Sequence, residues 1–423
     1  MRRGARPAGA GSLAAELAAR LAELADQGLA RSLRPAAGLD FSSNDYLGLA
    51  RDPGLRAALL ARLSALPPGE PLGAPASRLL RGHTHLHAGL ERRLAAWKGT
   101  EAALLFASGY QANVGLLTAL VGPEDRALSD AANHASLIDG LRLAGCRRVI
   151  YPHLDLAAVE RELARPHREG RTFLVTESLF SMEGDVAPLD RYAELAARHG
   201  AELIVDDAHA TGLFGAARGS GLCEELGVER RVAAVVSTLG KAAGLAGAFV
   251  AGPRVLVDYL VNRCRPFVFT TAPPPLLLHA IDLALDRMAA EPWRRRRALA
   301  LAERLRRRLA ALGVLGTLGG KRPGGDGPIV PLWLGDNRRA LAAAERLAAL
   351  GFDVRAIRPP TVPPGTARLR VSVHADHSEA EIDALAEALA GVLAATDETA
   401  PSAIAADAEA PSPAPAAAAM EEP

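Results

Sequence analysis

The chain has 423 residues, 49% of them hydrophobic and 23% charged, enough for a large core and two or three domains. Lys and Arg total 49 against 48 for Asp and Glu, a net charge of +1, so no overall field draws the chain to nucleic acid or an anionic membrane, and any anionic ligand has to be caught locally. No apolar run reaches the roughly 18 residues of a membrane span, and three scattered cysteines, Cys146, Cys223 and Cys264, show no metal spacing, which predicts buried thiols in a reducing, cytosolic setting.

Residues 1–11 are rich in Gly, Ala and Arg and are expected to be disordered. Ser12 can cap a helix carrying Leu13, Leu17, Leu21 and Leu24 at helical spacing and ending near Leu33, before Pro35. The stretch 41–48, FSSNDYLG, reads as a polar, turn-rich loop with embedded aromatics. His83, His85 and His87 recur at two-residue spacing, which suits no metal pair on a helix face, and no metal site is expected. A helix from Leu86 to Trp97 ends at Gly99, and Ala102 to Phe106 reads as a strand. Ser108-Gly109-Tyr110 closes that strand and opens the next helix, so its free backbone N–H groups suit an anion such as phosphate.

Strands and helices then alternate: a helix from about His134 to Ala144, strand 149–151, helix 156–163 and a strand from Thr172 ending in Glu177. After the loop 181–185 come helix 189–199, a strand 203–205 ending in Asp206, and an apolar run 232–236 leading into Ser237-Thr238-Leu239-Gly240-Lys241. Continuously apolar strands alternating with helices predict an α/β fold, a parallel sheet with helices on both faces. Ligands bind such sheets beyond the carboxyl ends of the strands. Ser108, Glu177, Asp206, Thr238 and Lys241 all sit there.

Beyond Lys241 the pattern gives strand 249–251, a helix from about Arg254, and one long helical stretch from about Leu276 to Leu312 whose run Arg294 to Arg297 reads as a solvated face. A Gly-rich boundary at 316–327 precedes an α+β unit: strand 329–333, helix 339–350, strands 354–357 and 367–373, and helix 379–393. The implied division is 12–50 for the N-terminal helix and segment, 51–290 for a large domain and 291–395 for a small one, with 396–423 a disordered tail.

The strand-end residues match the needs of pyridoxal phosphate, an electron sink for a carbanion beside a carboxylate. Its aldehyde needs a lysine, for which Lys241 is placed, and its ring nitrogen a carboxylate, for which Asp206 is placed. His209 can reach the phenolic oxygen, and Ser108 to Tyr110 with Thr238 can hold the phosphate. His134 suits either a lid on one ring face or a solvated position at a helix start.

The segments 41–49 (FSSNDYLGL), 108–113 (SGYQAN), 133–137 (NHASL), 181–189 (SMEGDVAPL), 205–212 (VDDAHATG) and 237–241 (STLGK), in this order, resemble the α-oxoamine synthases. The resemblance spans residues 13 to 395. It implies a fold-type-I pyridoxal-phosphate transferase with a large domain, a mostly parallel central sheet and a smaller C-terminal domain. By position, Lys241 is implied to hold the cofactor covalently and move the substrate Cα proton, with Asp206 on the ring nitrogen and His134 stacked on the ring. His209 and Ser181 are implied near the ring oxygen, with Glu177 also among the cofactor contacts. Gly109, Tyr110 and Thr238 are implied on the phosphate, with Thr271 reaching over from the second subunit of a homodimer. Arg370 is implied on the amino-acid carboxylate beside Asn44, although Arg368 shares its strand face. Either Arg31 or Arg34 takes the acyl substrate, with Arg31 preferred. The segments 334–337 and 356–372 resemble the members that condense L-alanine with a pimeloyl group carried on coenzyme A or on acyl carrier protein. Sister activities using other amino acids and acyl groups, and a scaffold subunit lacking the lysine, are the competing readings; this chain has Lys241.

Overall fold

The computed structural model describes residues 12–314 and 325–397. The expectations for 1–11 and for most of the Gly-rich boundary and the tail lie outside that range. Helix α1 (Leu13–Asp26) is capped by Ser12, whose side chain accepts from Ala15 N. It stops short of Leu33 because Gly28 turns the chain with φ +66°. Strand β1 (Leu39–Asp40) follows, then α2 (Pro53–Ser64), which the sequence reading missed although Asp52 and Pro53 form an N-cap and N1 pair.

The large domain continues through α3 (His85–Lys98), β2 (Ala102–Phe106), α4 (Gly109–Leu120), β3 (Arg126–Asp130), α5 (Ala135–Ala144), β4 (Arg147–Tyr151), α6 (Leu156–Leu163) and β5 (Thr172–Glu177). Next come α7 (Leu189–His199), β6 (Glu202–Asp206), the short α8 (Leu222–Glu225), β7 (Ala234–Thr238), β8 (Ala248–Gly252), α9 (Arg254–Arg263), the short α10 (Arg265–Val268) and α11 (Pro275–Ala290). Seven strands form one sheet in the order β2-β8-β7-β6-β5-β3-β4. All neighbours run parallel except β8, which is antiparallel to both β2 and β7. The reversal has a simple cause: residues 239–247 between β7 and β8 are too few for the crossover that parallel strands need. That connection carries Lys241. Successive residues of β8 feed opposite cores, Phe249 and Ala251 on one face, Ala248 and Val250 on the other, so the sheet is buried on both sides.

The small domain contains α12 (Trp293–Ala311), β9 (Ile329–Gly335), α13 (Asn337–Ala349), β10 (Phe352–Asp353), β11 (Arg355–Ile357), β12 (Ala367–Ser372) and α14 (Glu379–Asp397). Strands β11, β12 and β9 make an antiparallel sheet in that order, and β1 pairs in parallel with β10, so the N-terminal segment joins this domain. Its separate core includes Leu305, Leu332, Leu369, Val371 and Leu385, with Phe41 packed among them.

Two expectations are corrected here. The helical stretch 276–312 is two helices, broken at Glu291 and Pro292, where the proline ring excludes a continuous ladder. Arg294 is not solvated: it is 8% exposed, pairs with Asp52 and Glu291 at 2.6 Å each, and donates to Leu47 O. Arg296 and Arg297 are exposed as expected, and Arg297 also donates to Ala375 O and His377 O, tying the start of α12 to the loop before α14.

His153 gives the fold a pH-dependent clasp. Burial disfavours its charged form, but hydrogen bonds to Asp130 at 2.8 Å and Asp185 at 3.4 Å outweigh this and raise its pKa to about 9. A folded pKa above the unfolded value of about 6.5 means the stabilisation is fully present below pH ~6.5 and is lost as pH rises towards 9. Its full size is about 3 kcal/mol by the free energy of a shift of this size. Urea unfolding at pH 6 and pH 9.5 is expected to show this loss in wild type and not in His153→Gln; equal losses in both would contradict the assignment.

Candidate active site

The carboxyl ends of β5, β6 and β7 bring the strand-end residues together. Glu177 and Asp206 are register partners on adjacent parallel strands, so their carboxyl groups share one sheet face, and both are buried. Asp206 accepts from Ala208 N at 3.0 Å and from Asn113 Nδ2 at 2.6 Å, and no cationic side chain among the described residues pairs with it. Glu177 accepts from Ser181 N at 3.2 Å through Oε2, and its buried Oε1 has no partner. Burial first, then the neighbouring Asp206, raises the Glu177 pKa well above the usual carboxylate range.

Lys241 is half-buried, and its amine makes no hydrogen bond among the described residues. Burial depresses its pKa, with Asp206 and Glu177 opposing the change. His209 is close by: Tyr46 OH is 2.7 Å from its Nδ1, and burial, then the charges of Lys241 and Arg370, hold it well below the ordinary histidine value. The imidazole is neutral.

Arg370 reaches this group from β12. Its Nε donates to Ser181 O at 2.6 Å and its Nη2 to Asn44 Oδ1 at 3.0 Å and Tyr46 OH at 3.4 Å. Arg368 is spent elsewhere. It pairs with Glu183 at 3.0 Å, donates to Thr366 O and lies 3.5 Å over the Trp333 ring, which separates two arginines that strand parity alone could not.

At the phosphate end, Ser108 caps α4 by accepting from Gln111 N, and Gly109 follows as the first helical residue. A Cβ on Gly109 would lie 4.0 Å from Thr238 Oγ1, so its absence keeps open the space between the helix start and the Thr238 hydroxyl. Thr238 Oγ1 itself accepts from Gly240 N and donates to Gly247 O. Tyr110 is exposed, with its OH donating to Asp139 at 2.5 Å. An uncompensated buried carboxylate, a depressed lysine and an open anion cradle at a helix start fit pyridoxal phosphate in ring, aldehyde and phosphate respectively.

Two expected residues are not drawn into this group. Arg31 donates to the carbonyls of Arg358 and Pro359, at 3.4 and 3.0 Å, while Arg34 donates to Ser32 Oγ. Thr271 is exposed in the loop before α11 and shares no hydrogen bond with the other site residues. A cavity of about 370 Å³ lies apart from Lys241, against edge strand β2 and between α3 and α9, where Arg78 is already held by Glu91 and His83.

The aminotransferase class I and II family model matches residues 36–389. The 8-amino-7-oxononanoate synthase of Anaeromyxobacter dehalogenans (strain 2CP-1) is 48% identical over 390 residues, 89% of this chain and 95% of that protein. The chain belongs to the α-oxoamine synthases of the class I and II aminotransferase family. A second α-oxoamine synthase similar to it is the 8-amino-7-oxononanoate synthase of Alkalilimnicola ehrlichii, 43% identical over 399 residues, 91% of this chain and 99% of that one. Among solved structures, serine palmitoyltransferase from S. paucimobilis with bound PLP-myriocin aldimine superposes with a TM-score of 0.82 at 28% identity, covering 92% of this chain and 100% of that one. Pyridoxal phosphate is thus a cofactor of the α-oxoamine synthases, and the mostly parallel sheet is their fold-type-I core.

Several residues around the site were not singled out as functional from the sequence. Tyr46 and Asn113 lie inside recognised motifs, yet only the fold sets them against His209 and Asp206. Behind Asp206, Asp207 is held by a fully buried Lys98 at 2.7 Å, with Thr211 and Ser220 O as further acceptors for the amine. Removing one member of such a pair costs roughly 3–5 kcal/mol, because the other is left buried and uncompensated. The pair fixes the main chain that carries Asp206.

Proposed function

We propose that this chain condenses L-alanine with a pimeloyl thioester, releasing carbon dioxide and the thiol carrier and forming 8-amino-7-oxononanoate, with pyridoxal phosphate as cofactor. The observation that carries this reading is the depressed, unbonded amine of Lys241 set among Asp206, Glu177 and Arg370. When bound, the cofactor supplies an electron sink for charge at the amino-acid Cα. Asp206 keeps the proton on the ring nitrogen, while His134 covers one ring face. His209 and Ser181 serve the ring oxygen, and Gly109, Tyr110 and Thr238 hold the phosphate. Lys241 anchors the cofactor, then takes and returns the Cα proton, a role that needs a neutral amine. Arg370, steadied by Asn44 and Ser181 O, holds the amino-acid carboxylate by a charge-assisted pair. Arg31 receives the acyl substrate, delivered on coenzyme A or on acyl carrier protein.

The working form in this reading is a homodimer in the cytoplasm. Leu72, Leu79, Leu80, Phe269 and Leu276 are exposed together, and the segments carrying them are tied by Ala272 N to Ala76 O and Leu276 N to Leu72 O. A second copy covering that apolar face brings Thr271 to its partner's site. Among the described residues no helix is long and apolar enough to cross a membrane.

The test is a substrate panel. The cofactor-loaded protein is incubated with alanine, glycine or serine and with pimeloyl, acetyl, succinyl or palmitoyl thioesters, and carbon dioxide release is measured. Turnover with alanine and the pimeloyl thioester is expected. Turnover confined to glycine, or to serine with the palmitoyl thioester, contradicts the proposal.

A further inference from the structure

We infer that Asn113 and Ser136 form a positioning pair that sets two active-site groups at once: it fixes the Asp206 carboxylate through Oδ2 and holds His134 as the tautomer with its proton on Nε2. The inference deepens the reading of the site given above and rests on it.

Asn113 is 2% exposed within α4. Its Nδ2 donates to Asp206 Oδ2 at 2.6 Å and to Ser136 Oγ at 2.9 Å. An amide nitrogen has two hydrogens and nothing with which to accept, so these two bonds use it completely. The orientation is fixed, since the opposite one would set the amide carbonyl against a carboxylate. Ser136 Oγ must therefore accept from Asn113, and its one hydrogen is left for the third neighbour, His134 Nδ1 at 2.7 Å. The backbone N–H of Ser136 points at the same ring nitrogen from 3.2 Å. A ring nitrogen that receives two donors carries no proton, which places the His134 hydrogen on Nε2. That Nε2 makes no hydrogen bond among the described residues, and His134 is exposed, so the donor is free for a ligand.

The unmatched end of the amide argues that this wiring is the reason for the residue. Asn113 Oδ1 is buried without a partner, a desolvation cost that an apolar side chain of similar shape would avoid. What a leucine could not supply is the two donors. Asp206 arrives from β6, His134 and Ser136 from the start of α5, and Asn113 from α4, so one amide ties three elements at the cofactor position.

The test combines two readouts, one of which needs no cofactor. In cofactor-free protein labelled with nitrogen-15 in its histidine rings, the His134 signals, assigned by their loss in His134→Gln, are expected to show an unprotonated Nδ1 and a protonated Nε2. Ser136→Ala is expected to shift them to a mixture of tautomers, with pyridoxal phosphate affinity weakened less than in the Asn113 variants. Asn113→Leu is expected to shift them too and to weaken that affinity by roughly tenfold or more, the loss of a hydrogen bond to a charged group. Asn113→Ala serves if the leucine variant does not fold. A wild-type proton on Nδ1, an unchanged tautomer in Ser136→Ala, or unchanged cofactor affinity in the Asn113 variants overturns the inference. If wild-type protein binds no pyridoxal phosphate, the functional reading fails, while the histidine signals still decide the wiring.

Discussion

Lys241→Ala is expected to lower product formation by roughly 10³-fold or more, since one side chain supplies both the covalent hold on the cofactor and the proton transfer at Cα. The geometry explains why no neighbour substitutes for it. Lys241 sits in the 239–247 connection between two antiparallel strands, where Gly244 at φ +67° brings the backbone against Leu49 and Ala50; a Cβ there would fall 2.3 Å from Ala50 N. The loop is therefore fixed against the 41–49 segment. Its amine is depressed by burial, and Lys98, held by Asp207, is not available to replace it. Added methylamine is expected to restore part of the proton transfer but not the covalent attachment. A variant keeping more than about a tenth of wild-type turnover would remove Lys241 from the role given by general acid–base chemistry.

Asp206→Asn is the second large effect. The change is nearly isosteric, but an amide cannot hold a proton on a ring nitrogen by its charge, and electrostatic groups of this kind contribute roughly 10²- to 10³-fold to turnover. Asn113 Nδ2 would still have an acceptor if the new amide presents its carbonyl, so folding is expected to survive. The expected result is a fall in kcat with the protein still folded and still binding cofactor, measured by steady-state kinetics and cofactor absorbance. Turnover within about fivefold of wild type would show that the ring nitrogen is held elsewhere than by this electrostatic contact.

The parts of this site legible in the sequence were those that strand ends announce. An apolar run buried on both faces stands out whatever it packs against, so β5, β6 and β7 were readable, and with them Glu177, Asp206 and Lys241. Strand β3 was not, because its apolar centre is short and flanked by Arg126 and Asp130, although all five residues are buried. The Asp206 carboxylate was readable as a position, but Asn113 as its donor was not, since 93 residues separate them and only the sheet order brings α4 over β6. Arg294 read as a surface charge for the same reason: its partner, Asp52, lies far away in the chain. The choice between Arg368 and Arg370 turned on Trp333 and Glu183, which strand parity cannot supply.

The central claim, that one amine at the end of β7 carries the cofactor chemistry, is tested most directly by trapping. Wild-type protein loaded with pyridoxal phosphate is reduced with borohydride, digested, and its modified peptide identified by mass spectrometry. A single stable adduct on Lys241 is predicted. An adduct on Lys98 or another lysine, or none from cofactor-loaded protein, would contradict the account.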